Sequence, residues 1–136
     1  MQAQDILNFW FIELDGKQRF AKDAALDAAM RERFGALLQA AARGELFAWR
    51  GSASGRLAEI ILLDQFSRNI YRDTPQSFAQ DSQALTLAQE LVAGGLDKAI
   101  PVDQRAFAYM PYMHSESLPI HEQAVALFSQ PGWKAR

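Results

Sequence analysis

Arg56-Leu-Ala-Glu-Ile-Ile-Leu-Leu-Asp-Gln-Phe-Ser-Arg-Asn-Ile-Tyr-Arg72 decides the fold. Between Arg56 and about Phe66, the residues Leu57, Ala58, Ile60, Ile61, Leu62, Leu63 and Phe66 leave almost no polar face. A helix that is apolar nearly all round must be enclosed by other elements, so this one is expected at the centre of the molecule. The preceding Gly51-Ser52-Ala53-Ser54-Gly55 is turn chemistry, with Ser54 placed to accept the first amide hydrogen bonds of the helix.

Amphipathic helices are predicted on both sides of it. Ile6, Leu7, Phe9 and Trp10 fall at i, i+1, i+3 and i+4, the face of a short aromatic helix. Asp23 opens a long one, in which Leu26, Met30, Phe34, Leu37, Leu38 and Ala41 step by three and four as far as Gly44, a natural left-handed stop. Arg31, Glu32 and Arg33 lie off that stripe and read as a solvated face. Downstream, Asp73 and Thr74 precede Pro75 as cap residues before a first-turn proline, and Phe78, Leu85, Ala88, Leu91 and Val92 continue to Gly94-Gly95. Pro101 and Asp103 begin a helix through Arg105, Phe107 and Tyr109 that Pro111 ends or kinks. Ser117 and Pro119 start the last, with Val125, Leu127 and Phe128 before Pro131-Gly132. No stretch alternates with period two for long enough to be a strand. Six helices with short polar connections predict one all-α domain over residues 1–136, either stacked antiparallel helical hairpins or a compact helical bundle.

Composition narrows the chemistry. The 14 basic and 16 acidic side chains leave a net charge of −2, so no domain-wide basic field exists to hold nucleic acid or an anionic membrane. Zero cysteines exclude disulfides, thiolate nucleophiles and cysteine-ligated metals. Met1-Gln2-Ala3-Gln4-Asp5 has no positive leader region, and Ile60 to Leu63 falls far short of the roughly 20 apolar residues a bilayer requires. A cytoplasmic location and no membrane partner are expected.

Two segments carry the remaining polar chemistry. Asp64 to Arg72 is a charge cluster at the end of a buried helix, so it must be satisfied internally or face a cleft. Asp64 and Arg68, at i and i+4, pair as a structural lock if the helix continues. Alternatively, Arg68, Asn69 and Arg72 form a small anion-binding edge, their guanidinium forks suited to carboxylate or phosphate. In Tyr109-Met-Pro-Tyr-Met-His-Ser-Glu-Ser117, Glu116 is placed to orient His114 as an acid–base pair. A helix start explains the same residue types: Ser115 or Ser117 as cap, Glu116 at the positive end, and His114 partly buried. His114, Glu116, His121 and Glu122 match no metal-ligand spacing such as H-E-x-x-H, and no phosphate-binding or dinucleotide fingerprint occurs. Neither a metal nor a cofactor is expected. Gly51 to Gly55 is no nucleophile elbow, because no strand precedes it. Phe9, Trp10, Phe11 and Trp49 read as core or hydrophobic latches.

Arg56 to Arg72, Phe78-Ala-Gln-Asp81 and Tyr109 to Glu116, with Ile6-Leu-Asn-Phe-Trp10 and Arg31-Glu-Arg-Phe34, resemble the bacterial family called domain of unknown function 924. The resemblance covers most of the chain. It implies an all-α, tetratricopeptide-like stack of helical hairpins, with no established activity, substrate or catalytic residue. The positions it carries over are Arg56, Asp64, Gln65, Arg68, Asn69, Tyr71 and Arg72 in one string, and Tyr112, His114, Ser115 and Glu116 in another. The family usually has proline where Ser67 stands, so here the helix is expected to run on toward Arg68. Family members also continue for several helical turns past the point where this chain stops, at Trp133-Lys-Ala-Arg136. A shortened form with an exposed apolar flank on the last hairpin, supporting a homodimer, is the corresponding expectation.

Two functions compete. The first is a non-enzymatic module that binds a peptide, a protein or a small anionic ligand in a groove. Arg68, Asn69 and Arg72 then line one wall and Tyr112, His114 and Glu116 another, with Tyr71 among the candidates. The second is a small-molecule hydrolase or transferase with His114 and Glu116 as base and Arg68 as anion clamp, which requires Arg68 and His114 in one pocket. Nucleic-acid binding through Arg56, Arg68, Arg72 and Arg105 is disfavoured by the acidic balance.

Overall fold

Local capping chemistry sets where several of the helices begin. The computed structural model describes residues 1–130, which hold eight α-helical segments and no strand. They are α1 (Ala3–Asn8), α2 (Gly16–Phe20), α3 (Ala24–Ala42), α4 (Ala53–Ile61), α5 (Ser67–Ile70), α6 (Asp81–Ala93), α7 (Val102–His114) and α8 (Leu118–Phe128). The Asp23 carboxylate accepts the Leu26 amide at 3.1 Å to start α3, and Gly44, at φ 75°, follows its end. The short α2 is not among the expected helices, although its signature is local. Asp15 accepts from the Gln18 amide at 2.8 Å while the Gln18 side chain accepts from the Asp15 amide at 2.9 Å, a reciprocal capping box.

The apolar stretch becomes the centre of the structure. α4 passes without interruption into a π-helical turn, Leu62–Phe66, and then into α5. Leu57, Ile60, Ile61, Leu62, Leu63 and Phe66 are wholly buried. A second π turn, Phe9–Glu13, extends α1. Such turns are rare and appear mostly as single turns inside α-helices. Here aromatic rings join the two: Phe66 lies 5.2 Å from Phe34, 5.6 Å from Trp10 and 5.8 Å from Phe9. α1 packs on α4, α3 on the π turn and α5, α6 on α4 and α7, and α7 on α8. None of the described helices is long and apolar enough to cross a membrane.

Several boundaries differ from expectation. Ser52, not Ser54, caps α4: it is the extended residue at φ −137°, and its hydroxyl accepts the Gly55 amide at 3.0 Å. Gly55 is required there, because a Cβ would lie 2.0 Å from the Trp49 carbonyl oxygen. Pro75 opens only a 3-10 turn, Pro75–Phe78, and the main helix starts at Asp81. Phe78 therefore leaves the buried stripe and is 60% exposed. Pro111 does not end α7, which runs on to His114. The exposed face of α3 is solvated but also engaged, since Arg31 donates to the Ile70 carbonyl at 2.7 Å and Arg33 pairs with Glu13 at 2.9 Å.

Ser67 does carry the helix onward into α5, as expected of a residue standing in place of proline. Its side-chain oxygen, however, is buried without a hydrogen-bond partner. Ser67→Ala is expected to stabilise the fold by about 1 kcal/mol, because it removes an unsatisfied hydroxyl and improves helix propensity. A thermal melt should rise by about 4 °C. A lower melting temperature would show that the hydroxyl is satisfied after all.

Candidate functional site

The π turn sets Asp64 inside the molecule, its side chain only 1% exposed. A buried carboxylate requires partners, and Asp64 has three. Its Oδ1 accepts from Arg68 Nη1 at 2.9 Å and meets His114 Nδ1 at 2.7 Å, while Oδ2 accepts from Gln65 Nε2 at 3.0 Å. Arg68 Nη1 also donates to the Asp64 backbone carbonyl at 3.1 Å. The other side of the guanidinium reaches the first residue of α6: Nη1 and Nη2 donate to the two Asp81 oxygens at 2.8 and 3.0 Å. Phe78 places its ring centre 5.4 Å from the guanidinium carbon. Asp64, Arg68, Asp81 and His114 thus join the π turn, α5, α6 and α7 in one polar network.

A hollow of about 640 Å³ opens over this network. Phe78, Leu85 and Pro111 give it apolar walls, Arg68, Asp81 and His114 its polar floor, and Ser82, Ser115 and Glu116 the remaining lining. When the neutral imidazole donates Nδ1–H to Asp64, its lone pair is on Nε2. The ring is then fixed in one tautomer by a carboxylate that water scarcely reaches.

The structure brings Arg68 and His114 together and forms the expected Asp64–Arg68 pair. It also corrects the partner of His114, which is Asp64 and not Glu116. The reason is the end of α7: Ser115 is extended at φ −69° and ψ 145°, so Glu116 leaves the helix and lies exposed. Ser115 accepts the Ser117 amide at 3.1 Å, and Ser117 holds the N-cap position of α8 without a side-chain bond.

The expected edge of Arg68, Asn69 and Arg72 does not form. α5 stops at Ile70, so Arg72 falls out of helical register with Arg68 and turns to α3. There it donates to both Asp27 oxygens at 2.7 and 3.2 Å, to the Ala21 carbonyl at 3.3 Å and to Asn69 Oδ1 at 3.4 Å. The hydrogen bonds to Asp27 hold the Arg72 guanidinium above its ordinary range. Asn69 donates to Met30 Sδ at 3.5 Å and shares a smaller hollow with Arg72, Lys22 and Arg31. Tyr71 meets the Gln39 side chain through its hydroxyl. Tyr112 is buried and lines a different hollow with Gln89, Val92 and Leu127. Two residues before His114, it points about 200° away around α7. Burial pushes its hydroxyl up, with the Asp97 charge adding to the shift.

Three features escape the sequence reading. Asp81 stands at a helix start, where an acidic residue needs no further reason. Phe78 falls on the expected core stripe. Glu59, in the middle of α4, is fully buried against Arg50, with Nε and Nη2 donating at 2.9 and 2.8 Å. On the last hairpin, Met113, Leu118 and Val125 are exposed beside a hollow lined by Met110, His121, Ala124 and Phe128. Residues Pro131 to Arg136, where the uncovered flank is expected to end, lie outside the described residues. Among the described residues no group of three or more His, Asp or Glu side chains is placed to hold a metal ion.

Helices with no strand among the described residues, packed around one continuous central rod with a carboxylate–arginine–histidine network at its end, define an all-α protein with a polar network at a hollow. The chain belongs to the family of bacterial proteins of unknown function named domain of unknown function 924, whose model matches residues 6–135. It is similar to a protein of unknown function from Agrobacterium tumefaciens of solved structure. The two are 39% identical with a TM-score of 0.88, over 93% of this chain and 71% of that one. None of the curated proteins compared with the chain matches it.

Proposed function

We propose that the hollow between α5, α6 and α7 binds a small polar molecule or a peptide side chain, with His114 accepting a hydrogen bond or a proton from it. The observation that carries this reading is the 2.7 Å contact between His114 Nδ1 and the buried Asp64 carboxylate. It orients the ring and, in the neutral imidazole, leaves Nε2 as acceptor. The hollow sets apolar side chains, Phe78, Leu85 and Pro111, beside convergent polar groups, a combination found in ligand pockets. Arg68 is not assigned as an anion clamp, because both of its Nη atoms already donate to carboxylates. Acid–base catalysis of hydrolysis or transfer is a second reading favoured by the same contact, since Asp64 would stabilise the imidazolium formed when Nε2 takes a proton.

Three probes with one hydrocarbon body test the binding reading: phenethylamine, 2-phenylethanol and 3-phenylpropionate, each titrated by ligand-observed NMR. At least one is expected to bind saturably to the wild-type protein and about tenfold or more weaker to His114→Ala, a difference of about 1.4 kcal/mol or more. Thermal melts establish that the variant is folded. Equal binding to both proteins, or saturable binding by none of the three probes, would overturn the proposal.

A further inference from the structure

We infer that the ligand of this hollow is a cation, an ammonium or guanidinium group carried on an apolar body. The inference rests on the binding reading above and names its substrate class. The carboxylates of Asp81 and Glu116 line the hollow and that of Asp64 is buried beneath it, held by Arg68 and His114, so three carboxylates stand against one arginine, Arg68. Arg68 is spent within that set, shared between Asp64 and Asp81. Whichever form His114 takes, the three carboxylates outnumber the cations, so the site carries surplus negative charge beside the apolar side chains of Phe78, Leu85 and Pro111. A concave site of one sign with low-dielectric walls focuses its field and concentrates the opposite charge.

His114 fits the same ligand. An ammonium group has three donors and no acceptor, so it complements an imidazole whose Nε2 is an acceptor and carboxylates that accept only. An anion is disfavoured: the one guanidinium of the lining already donates from both Nη atoms to carboxylate oxygens. The body of the ligand lies against Phe78, whose ring is exposed at the hollow and not drawn into the core. Free alkyl or arylalkyl amines and the lysine side chain of a peptide share this chemistry.

The three probes used above discriminate, with Nα-acetyl-lysine methylamide as a fourth. Phenethylamine is expected to bind about tenfold tighter than 2-phenylethanol, and 3-phenylpropionate weakest. Glu116→Gln, at an exposed residue, is expected to weaken the amine several-fold while leaving the alcohol unchanged. Asp81→Asn, checked by thermal melt because it also touches Arg68, is expected to act in the same direction. The lysine derivative matching phenethylamine supports the inference with a peptide as source; phenethylamine alone binding supports it with a free amine. Alcohol or acid binding as tightly as the amine, still lost in His114→Ala, overturns the cation assignment and leaves the binding reading standing. An amine preference that survives both carboxylate changes also overturns it.

Discussion

Arg50→Ala is expected to destabilise the protein by about 3–5 kcal/mol, the loss typical of a buried charge left without its partner. Glu59 lies in the middle of α4 with its side chain fully buried, and the Arg50 fork is its partner, through bonds of 2.9 and 2.8 Å. The same hydrogen bonds raise the affinity of the Arg50 guanidinium for its proton. The two ends are unequal. Arg50 is 30% exposed and regains water when Glu59 is removed, whereas Glu59 has no route to solvent when Arg50 is removed. Arg50 also anchors the turn before α4, its carbonyl accepting from Arg56 Nε at 3.0 Å. Glu59→Ala should therefore lose less than Arg50→Ala, and the double variant that combines Arg50→Met with Glu59→Met should recover most of the loss. Urea unfolding of the wild type and the three variants measures these differences. A loss below about 1 kcal/mol for Arg50→Ala would place Glu59 in contact with water.

This pair also marks a signal that the sequence carries but its apolar pattern hides. A glutamate inside the most apolar helix points to a buried charge, and its partner Arg50 stands nine positions earlier, in the turn before the helix. The helices around α1, α3, α4 and α6 to α8 are readable because their apolar stripes follow the 3.6-residue period, which depends on neighbours in sequence. The π turns are not. A widened turn has no composition of its own, and it is held here by Phe9, Trp10 and Phe34, which arrive from distant parts of the chain. The candidate site divides in the same way. Asp64 and Arg68 can be paired from their i, i+4 spacing. The carboxylate of His114 cannot, since local sequence offers Glu116 and the fold supplies Asp64 from 50 residues away. Grouping Arg72 with Arg68 assumes a helix that in fact stops at Ile70, and one boundary of that kind moves a side chain to another hollow.

Phe66→Ala is the other substitution with a large expected effect, about 3–5 kcal/mol, as for truncation of a buried phenylalanine. The ring is wholly buried and meets Phe9, Trp10 and Phe34 at centroid distances of 5.2 to 5.8 Å. Its position gives the change a second consequence. Phe66 is the last residue of the π turn that holds Asp64, and the burial of its ring against Phe9, Trp10 and Phe34 favours keeping that turn in place. Without the ring, α-helical geometry becomes competitive through Leu62–Phe66, and removing the extra residue from the turn rotates α5 by about 100° relative to α4. Asp64 and Arg68 would then lose their alignment with His114 and Asp81. Phe66→Ala is therefore expected to lower both stability and the affinity of the hollow for the probe it binds, although Phe66 does not line the hollow. Phe66→Leu keeps most of the apolar volume and should retain binding with a loss of about 1.5 kcal/mol. Calorimetric unfolding and probe titration on the two variants separate the effects. Full probe affinity in a folded Phe66→Ala protein would show that the aromatic cluster stabilises the core without holding the π turn in register.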